Sequence, residues 1–328
     1  MSDDGAAVAA ALRAGDRVAL ARAITLVESL RDEDRAGATA LVEATHTVGL
    51  ATHRIGISGP PGVGKSTFID ALGMALLAAG HRVAVLAIDP SSMRTGGSIL
   101  GDKTRMARLS REPAAYIRPS PAQGVLGGVA ARTAETLRLC EVAGFTIVIV
   151  ETVGVGQSEI DVADVVDTLV VLVAAGGGDE LQGIKRGLLE CTDVVVVPKA
   201  DGANLAAAAR TRADYAQALA YIQPRHEGWH VPTLECSALE GRGLEAILAA
   251  LDEHRALLEQ TGGWARQRAA QRLRWTNTAL HEALRRAVAQ DRGVRMLLTE
   301  LSSAIEDGTL APESAAAQLL AVFRRPAP

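Results

Sequence analysis

Residues 54–80 read RIGISGPPGVGKSTFIDALGMALLAAG: a short apolar run, a loop of glycines and prolines, then a helix-forming stretch. Gly59, Gly64, Lys65 and Ser66 meet the spacing G-x-x-x-x-G-K-[ST], and the flanking strand-like and helix-like segments are the setting that motif requires. Glycines let consecutive backbone N–H groups turn inward around phosphates, the following helix presents its positive end, and Lys65 places a charge near the β- and γ-phosphates. Gly59, Pro60, Pro61, Gly62, Val63, Gly64, Lys65, Ser66 and Thr67 are thus expected to cradle a nucleotide's phosphates, with the Ser66 hydroxyl on magnesium. The expected reaction class is nucleotide hydrolysis.

Outward from this loop, short β-branched runs alternate with helix-like stretches between Arg54 and about Ser237: RIGIS, VAVLAID, FTIVIVET, TLVVLVA, DVVVVPK and VPTLECS. Apolar residues on consecutive positions, not alternate ones, indicate strands buried on both faces of a mostly parallel sheet covered by helices. The expected fold class is α/β, a doubly wound, mostly parallel sheet of the P-loop type. Helical periodicity before it (Val18, Leu20, Ala21, Ile24, Val27, Leu30) and after it predicts helical extensions. The expected boundaries are 1–50 for the N-terminal extension, 51–260 for the nucleotide domain and 261–328 for a C-terminal helical extension. The last boundary rests on the break at Thr261-Gly262-Gly263.

Magnesium also needs carboxylates, which phosphoryl-transfer sites take from the ends of neighbouring strands. Asp89 ends VAVLAID, Glu151 ends FTIVIVE, and Asp102 sits in the polar loop that follows the first of these strands. Taken alone, Asp102 reads as an ordinary loop acid. A base reader is also present. One carboxylate accepts from both the N1–H and the 2-amino group of guanine, whereas adenine offers neither, so a fixed Asp beside the base selects GTP; Asp201 in Lys199-Ala200-Asp201 fits that role, and the lysine stem can lie along the base. Ser237, Ala238 and Leu239, after VPTLECS, can aim backbone N–H groups at the guanine O6. Pro198 stands where small GTPases carry Asn and offers no side-chain amide and no N–H. A contact to the base and a tie to the phosphate loop are expected to be missing there, so GTP should be held more weakly.

The 328 residues carry a net charge of -4 and no basic stripe, which argues against nucleic acid as a partner. Cys140, Cys191 and Cys236 lie far apart with no C-x-x-C pair, and they read as small core hydrophobes of a reduced, cytoplasmic protein. The first twenty residues fit neither a signal peptide nor a transit peptide, and no apolar run approaches the ~20 residues that span a bilayer. A soluble protein without membrane contact is expected. The histidines are scattered; His226 and His230 share an i, i+4 interval, but Pro224, Gly228 and Trp229 around them indicate a loop, not a metal site. His254 lies in a helical pattern and reads as a surface histidine.

Four segments resemble the metallochaperone-type (SIMIBI) class of P-loop GTPases and, within it, the MeaB/ArgK group, which includes the human methylmalonic aciduria type A protein. They are GPPGVGKST, DPSSMRTGGSILGDKTRM (Asp89 to Met106), ETVGVGQSE (Glu151 to Glu159) and AAGGGDELQGIKRG (Ala174 to Gly187). The resemblance covers nearly the whole chain. It implies a GTPase chaperone that protects a cobalamin-dependent acyl-CoA mutase, methylmalonyl-CoA mutase or a relative, and gates its loading with adenosylcobalamin. It further implies that Asp89, Asp102 and Glu151 join Ser66 at magnesium, and that residues 89–106 and 151–159 are switch segments. Catalytic roles are implied for Lys65, Glu151, Gln157, Asp179 and Lys185, the last two in a loop that responds to the mutase. A homodimer through the C-terminal helices is implied as well. Three glycines in succession give that loop backbone freedom, and a lysine near the γ-phosphate can stabilise transition-state charge.

Two rival readings are a metal-insertion accessory GTPase and a P-loop ATPase or kinase linked to amino-acid transport. The first lacks a His-rich tract and the second lacks an acceptor-site motif. Binding of the corrinoid by this chain is not expected, because the fingerprint D-x-H-x-x-G is absent: Asp252-Glu253-His254-Arg255-Ala256-Leu257 ends in leucine.

Overall fold

Runs of valine, isoleucine and leucine without polar alternation have to be covered on both faces, and the strands they form all run parallel. A computed structural model describes residues 2–29, 31–46, 51–89, 106–121, 128–152, 162–176 and 186–324. Its strands are β1 His53–Ser58, β2 Val83–Asp89, β3 Ala115–Pro121, β4 Ile147–Thr152, β5 Thr168–Leu172, β6 Val194–Val197 and β7 Thr233–Glu235. They form one sheet in the order β3-β2-β4-β1-β5-β6-β7, every pair parallel. All strands therefore end on the same edge.

The helices are α1 Ser2–Arg13, α2 Arg17–Glu28, α3 Arg35–Ala44, α4 Lys65–Ala78, α5 Gly128–Val142, α6 Arg186–Glu190, α7 Leu205–Leu219, α8 Leu244–Gln260, α9 Gly263–Gln290, α10 Arg292–Glu306 and α11 Pro312–Phe323. Side chains alternate across a strand, so Ile55, Ile57, Val83, Val85, Ile147 and Ile149 share a core with Phe68, Ile69 and Leu72 of α4 and Ile247 and Leu251 of α8. Leu86, Val148, Val150, Leu169 and Val171 are as deeply buried on the opposite face. There α5 lies against β4 and α2 against α5. The N-terminal helices pack on this domain through Leu20, Ala23, Ile24 and Val27, and Arg118 of β3 pairs with Glu28 of α2 at 2.6 Å.

Strand β3 has no counterpart among the strands expected from sequence. Its residues, AYIRPSP, include two prolines and an arginine, a poor strand pattern. Proline is tolerated where one side of a strand needs no ladder bond, and β3 is an edge strand paired to β2 alone. Two other readings change. Cys191 is half-buried while Cys140 and Cys236 are in the core. His254, read as a surface residue, is fully buried.

The chain divides into two compact units, Met1–Arg272 and Leu273–Pro328. In the second, α10 packs along α11, and Asp291 caps α10 by accepting from the Val294 N–H at 2.9 Å. In the first, the opening turns of α9 are fastened by a buried charge cluster near the amino ends of β1 and β5. Arg268 donates from Nε and Nη2 to the two oxygens of Asp167, both at 2.6 Å, and from Nη1 to Glu141 at 3.1 Å. Glu141 also accepts from Arg54 Nε at 2.7 Å, and Asp167 accepts from the Arg54 backbone N–H at 2.8 Å. A fork-to-fork pair of this kind is strong because both oxygens are met in one plane.

Removing one member leaves buried charge without its partner, which costs about 3–5 kcal/mol. Arg268→Ala should lower the unfolding free energy by that amount in chemical denaturation. A change under about 0.5 kcal/mol, the range of ordinary surface substitutions, would contradict the assignment.

Candidate functional site

The phosphate loop leaves β1 at Ser58 and enters α4 at Lys65. Three of its glycines have positive φ: Gly59 (147°), Gly62 (79°) and Gly64 (107°). At Gly59 the requirement is also steric, since a Cβ there would lie 2.5 Å from the Leu172 carbonyl oxygen. The loop can thus hug the end of β5 only with glycine at this position. Lys65 is buried, and its ammonium donates to the carbonyls of Gly59 at 2.7 Å and Pro60 at 3.1 Å. The amino end of α4 points its first N–H groups into the loop, a ready anion site.

Glu151 reaches this loop from β4. Its Oε1 accepts from Ser66 Oγ at 3.0 Å, and its side chain is buried. The next residue, Thr152, donates to Ser58 Oγ at 3.1 Å, so the ends of β1 and β4 are tied side by side. A serine hydroxyl and a buried carboxylate oxygen at that separation are hard oxygen donors of the kind magnesium takes. They fit that ion. Asp89 closes β2 on the same edge. Asp102, Gln157, Asp179 and Lys185 lie outside the described residues.

The third part comes from the loops after β6 and β7. Asp201 Oδ2 accepts from Ser237 Oγ at 2.5 Å, and Ser237 Oγ in turn accepts from the Glu240 N–H at 3.1 Å. Ser237 is also bridged by its backbone to Arg242, at 2.9 and 3.1 Å. Gly243, at φ 83°, turns the chain there, where a Cβ would meet the Glu235 carbonyl at 2.1 Å. Ala238 is half-buried and Leu239 is 83% exposed, leaving an apolar side chain open beside the Asp201–Ser237 pair.

Lys199 is the one non-glycine residue with positive φ (58°) among the described residues. That backbone state is uncommon for a long side chain and marks sites held by their surroundings. Its ammonium donates to the Gly62 carbonyl at 2.8 Å, and its stem passes over Gly64. A tie between base loop and phosphate loop, expected to be lost with Pro198, is therefore supplied by the neighbouring lysine. Sequence reasoning also passed over Asp70 of α4, which accepts from Arg108 Nε at 2.8 Å and the Leu109 N–H at 2.9 Å. An acid inside a helix-like stretch carries no signal that it anchors the chain just past residues 89–106.

An all-parallel sheet with this loop on its central strand, an acid from the next strand on the loop serine, and a Lys-x-Asp turn beside a serine turn belongs to the P-loop GTPases. Within that class the family described as "Methylmalonyl Co-A mutase-associated GTPase MeaB" matches residues 20–292, and the chain belongs to this family. It is 50% identical over 315 residues to a probable GTPase of Mycobacterium tuberculosis (strain ATCC 25618 / H37Rv), covering 96% of this chain and 94% of the relative. It is 42% identical over 320 residues to the mitochondrial methylmalonic aciduria type A homolog of Mus musculus, covering 94% and 77%. Among solved structures, one titled as a LAO/AO transport system kinase superposes with a TM-score of 0.75 at 36% identity, covering 98% of both chains. The chain is a GTP-hydrolysing enzyme. No helix among the described residues is long and apolar enough to cross a membrane.

Gly59→Ala should lower the unfolding free energy by about 1–3 kcal/mol, the range for a residue forced into a disfavoured backbone state, as read by chemical denaturation. Unchanged stability would show that the loop does not need its approach to Leu172.

Proposed function

We propose that this GTPase is a nucleotide-governed chaperone of a cobalamin-dependent acyl-CoA mutase, methylmalonyl-CoA mutase or a relative, protecting it and gating the loading of adenosylcobalamin. The observation that carries this reading is the extent of the family match: it spans residues 20–292 and so takes in 89–106, 151–159 and 176–186, segments beyond what phosphate binding needs. The family's description names the mutase association, and the mouse relative's name points to methylmalonate metabolism. The corrinoid stays on the mutase.

In the hydrolysis we propose, the loop N–H groups and the amino end of α4 hold the phosphates, and Lys65 turns from the Gly59 and Pro60 carbonyls to the β- and γ-phosphates. Ser66, Glu151, Asp89 and Asp102 would hold magnesium, which would supply positive charge against the negative charge developing on the β- and γ-phosphate oxygens. Gln157 orients the attacking water, while Asp179 and Lys185 take part in hydrolysis only with the mutase bound. Asp201 reads the guanine edge, positioned by Ser237, and the N–H groups of Ser237, Ala238 and Leu239 lie at the guanine O6. The product is GDP with free phosphate.

The protein is proposed to work in the cytoplasm as a homodimer formed by the helical segment 261–328. Leu273, Leu280 and Leu284 of α9 are 69%, 53% and 48% exposed and fall on one helical face by their spacing, which supports that surface as the contact. Exposed apolar rows of this kind mark interaction sites.

Two measurements test these assignments. Asp201→Asn should weaken GTP binding about 10- to 100-fold, the worth of hydrogen bonds to a charged acceptor at about 1.5–3 kcal/mol, and leave ATP binding unchanged. Equal losses for both nucleotides in calorimetric titration would remove Asp201 from base selection. Lys185→Ala should leave the basal rate of phosphate release unchanged and abolish its stimulation by the mutase. Full stimulation of the variant, or label from GTP passing to a small molecule instead of free phosphate, would contradict the mechanism.

A further inference from the structure

At the amino edge of the sheet, opposite the nucleotide loops, three side chains from separate parts of the chain converge. Asp193 immediately precedes β6, His226 lies in the loop between α7 and β7, and His254 is in α8. Asp193 Oδ1 is 3.5 Å from His226 Nε2 and 3.4 Å from His254 Nε2. One ligand atom from each residue lies within 4.8 Å of the other two. Asp193 and His254 are fully buried, and none of these three facing atoms has a hydrogen-bond partner among the described residues.

The atoms behind this cluster are committed elsewhere. Asp193 Oδ2 accepts from the Leu169 N–H at 2.8 Å and faces Arg225 Nη1 at 3.9 Å. His254 Nδ1 is 2.8 Å from Thr168 Oγ1, which is also 2.7 Å from His53 Nε2. The Trp229 ring packs on His254 at 4.8 Å, and its Nε1 donates to the Asp193 carbonyl at 2.8 Å. In the tautomer that carries its proton on Nδ1, toward Thr168 Oγ1, the His254 Nε2 lone pair points at a carboxylate oxygen of Asp193. An acceptor facing acceptors in a buried place is costly unless something positive joins them.

From this geometry we infer that Asp193, His226 and His254 form a two-histidine, one-carboxylate site for a first-row divalent transition cation, zinc foremost. The two separations from Asp193 Oδ1, 3.5 and 3.4 Å, suit it: bonds of about 2.0–2.1 Å in tetrahedral array place neighbouring ligand atoms about 3.4 Å apart. Two imidazoles with one carboxylate select zinc and its neighbours over magnesium, which takes oxygen ligands in an octahedron. The surroundings supply the supports that metal-bound histidines use, with the hydroxyl of Thr168 on the far nitrogen of His254. Bound there, the cation cross-links the start of β6, the loop before β7 and α8.

Neither i, i+4 spacing nor any short motif announces this site. His226 meets His254 and Asp193, not His230, which is exposed.

The test is cobalt(II) titration of the full chain, stripped of metal with a chelator and then saturated with magnesium and GDP to occupy the phosphate site. One equivalent of cobalt should bind with the intense visible bands of a tetrahedral centre, and zinc should displace it. His226→Gln should weaken uptake by at least about 100-fold, since loss of an outer-shell support alone costs 10–100-fold. His230→Ala should bind as the parent chain does. GDP affinity reports that the variants are folded. Absence of saturable uptake by the parent chain would overturn the inference and leave a hydrogen-bonded Asp–His cluster in its place. Uptake unchanged in both His226→Gln and Asp193→Asn would overturn it equally.

Discussion

Parallel pairing of all seven strands is the constraint from which the rest of this molecule follows. It sends every carboxyl end to one edge, where no strand returns and where backbone groups are free to meet a ligand. The phosphate loop after β1, Glu151 at the end of β4, Lys199 after β6 and Ser237 after β7 meet there for that reason. Residues far apart in sequence are joined by short bonds: Ser66 to Glu151 at 3.0 Å, Lys199 to Gly62 at 2.8 Å and Asp201 to Ser237 at 2.5 Å. Phosphate loop, carboxylate and base loop thus form one connected set.

The two edges of the sheet use charge differently. On the carboxyl edge, polar groups are held by bonds that a ligand can replace, as with Lys65 on the carbonyls of its own loop. On the amino edge, Arg54, Glu141, Asp167 and Arg268 are enclosed and bonded to one another, fastening the start of α9 to the sheet. Buried charge bonded on several sides resists local opening, which holds the start of α9 and the amino ends of β1 and β5 together.

Much of this was legible in the sequence because the decisive signals are local. RIGIS followed by GPPGVGKST requires a strand, a loop and a helix in order, and β1 and α4 begin and end close to those residues. The uninterrupted valines of β6 required burial on both faces. Signals that depend on neighbours in space were not legible. AYIRPSP becomes a strand only because β2 offers a partner and the other side needs none. His254 looks like any helical histidine until α8 is laid on β5, and the Lys199 contact with Gly62 requires a backbone state that lysine alone does not favour. Four residues with implied roles, Asp102, Gln157, Asp179 and Lys185, fall outside the described segments, so the resemblance carries them.

We propose that nucleotide state and mutase binding are coupled in this GTPase. Coupling is reciprocal: if GTP changes the affinity for the mutase, the mutase changes the affinity for GTP by the same factor. The direct measurement is the affinity of the full chain for a cobalamin-dependent acyl-CoA mutase, taken by titration calorimetry once with GDP and once with a non-hydrolysable GTP analogue. The expected dissociation constants differ by at least about 5-fold, the lower end of typical allosteric coupling. Equal constants in the two states, or no binding in either, would contradict it.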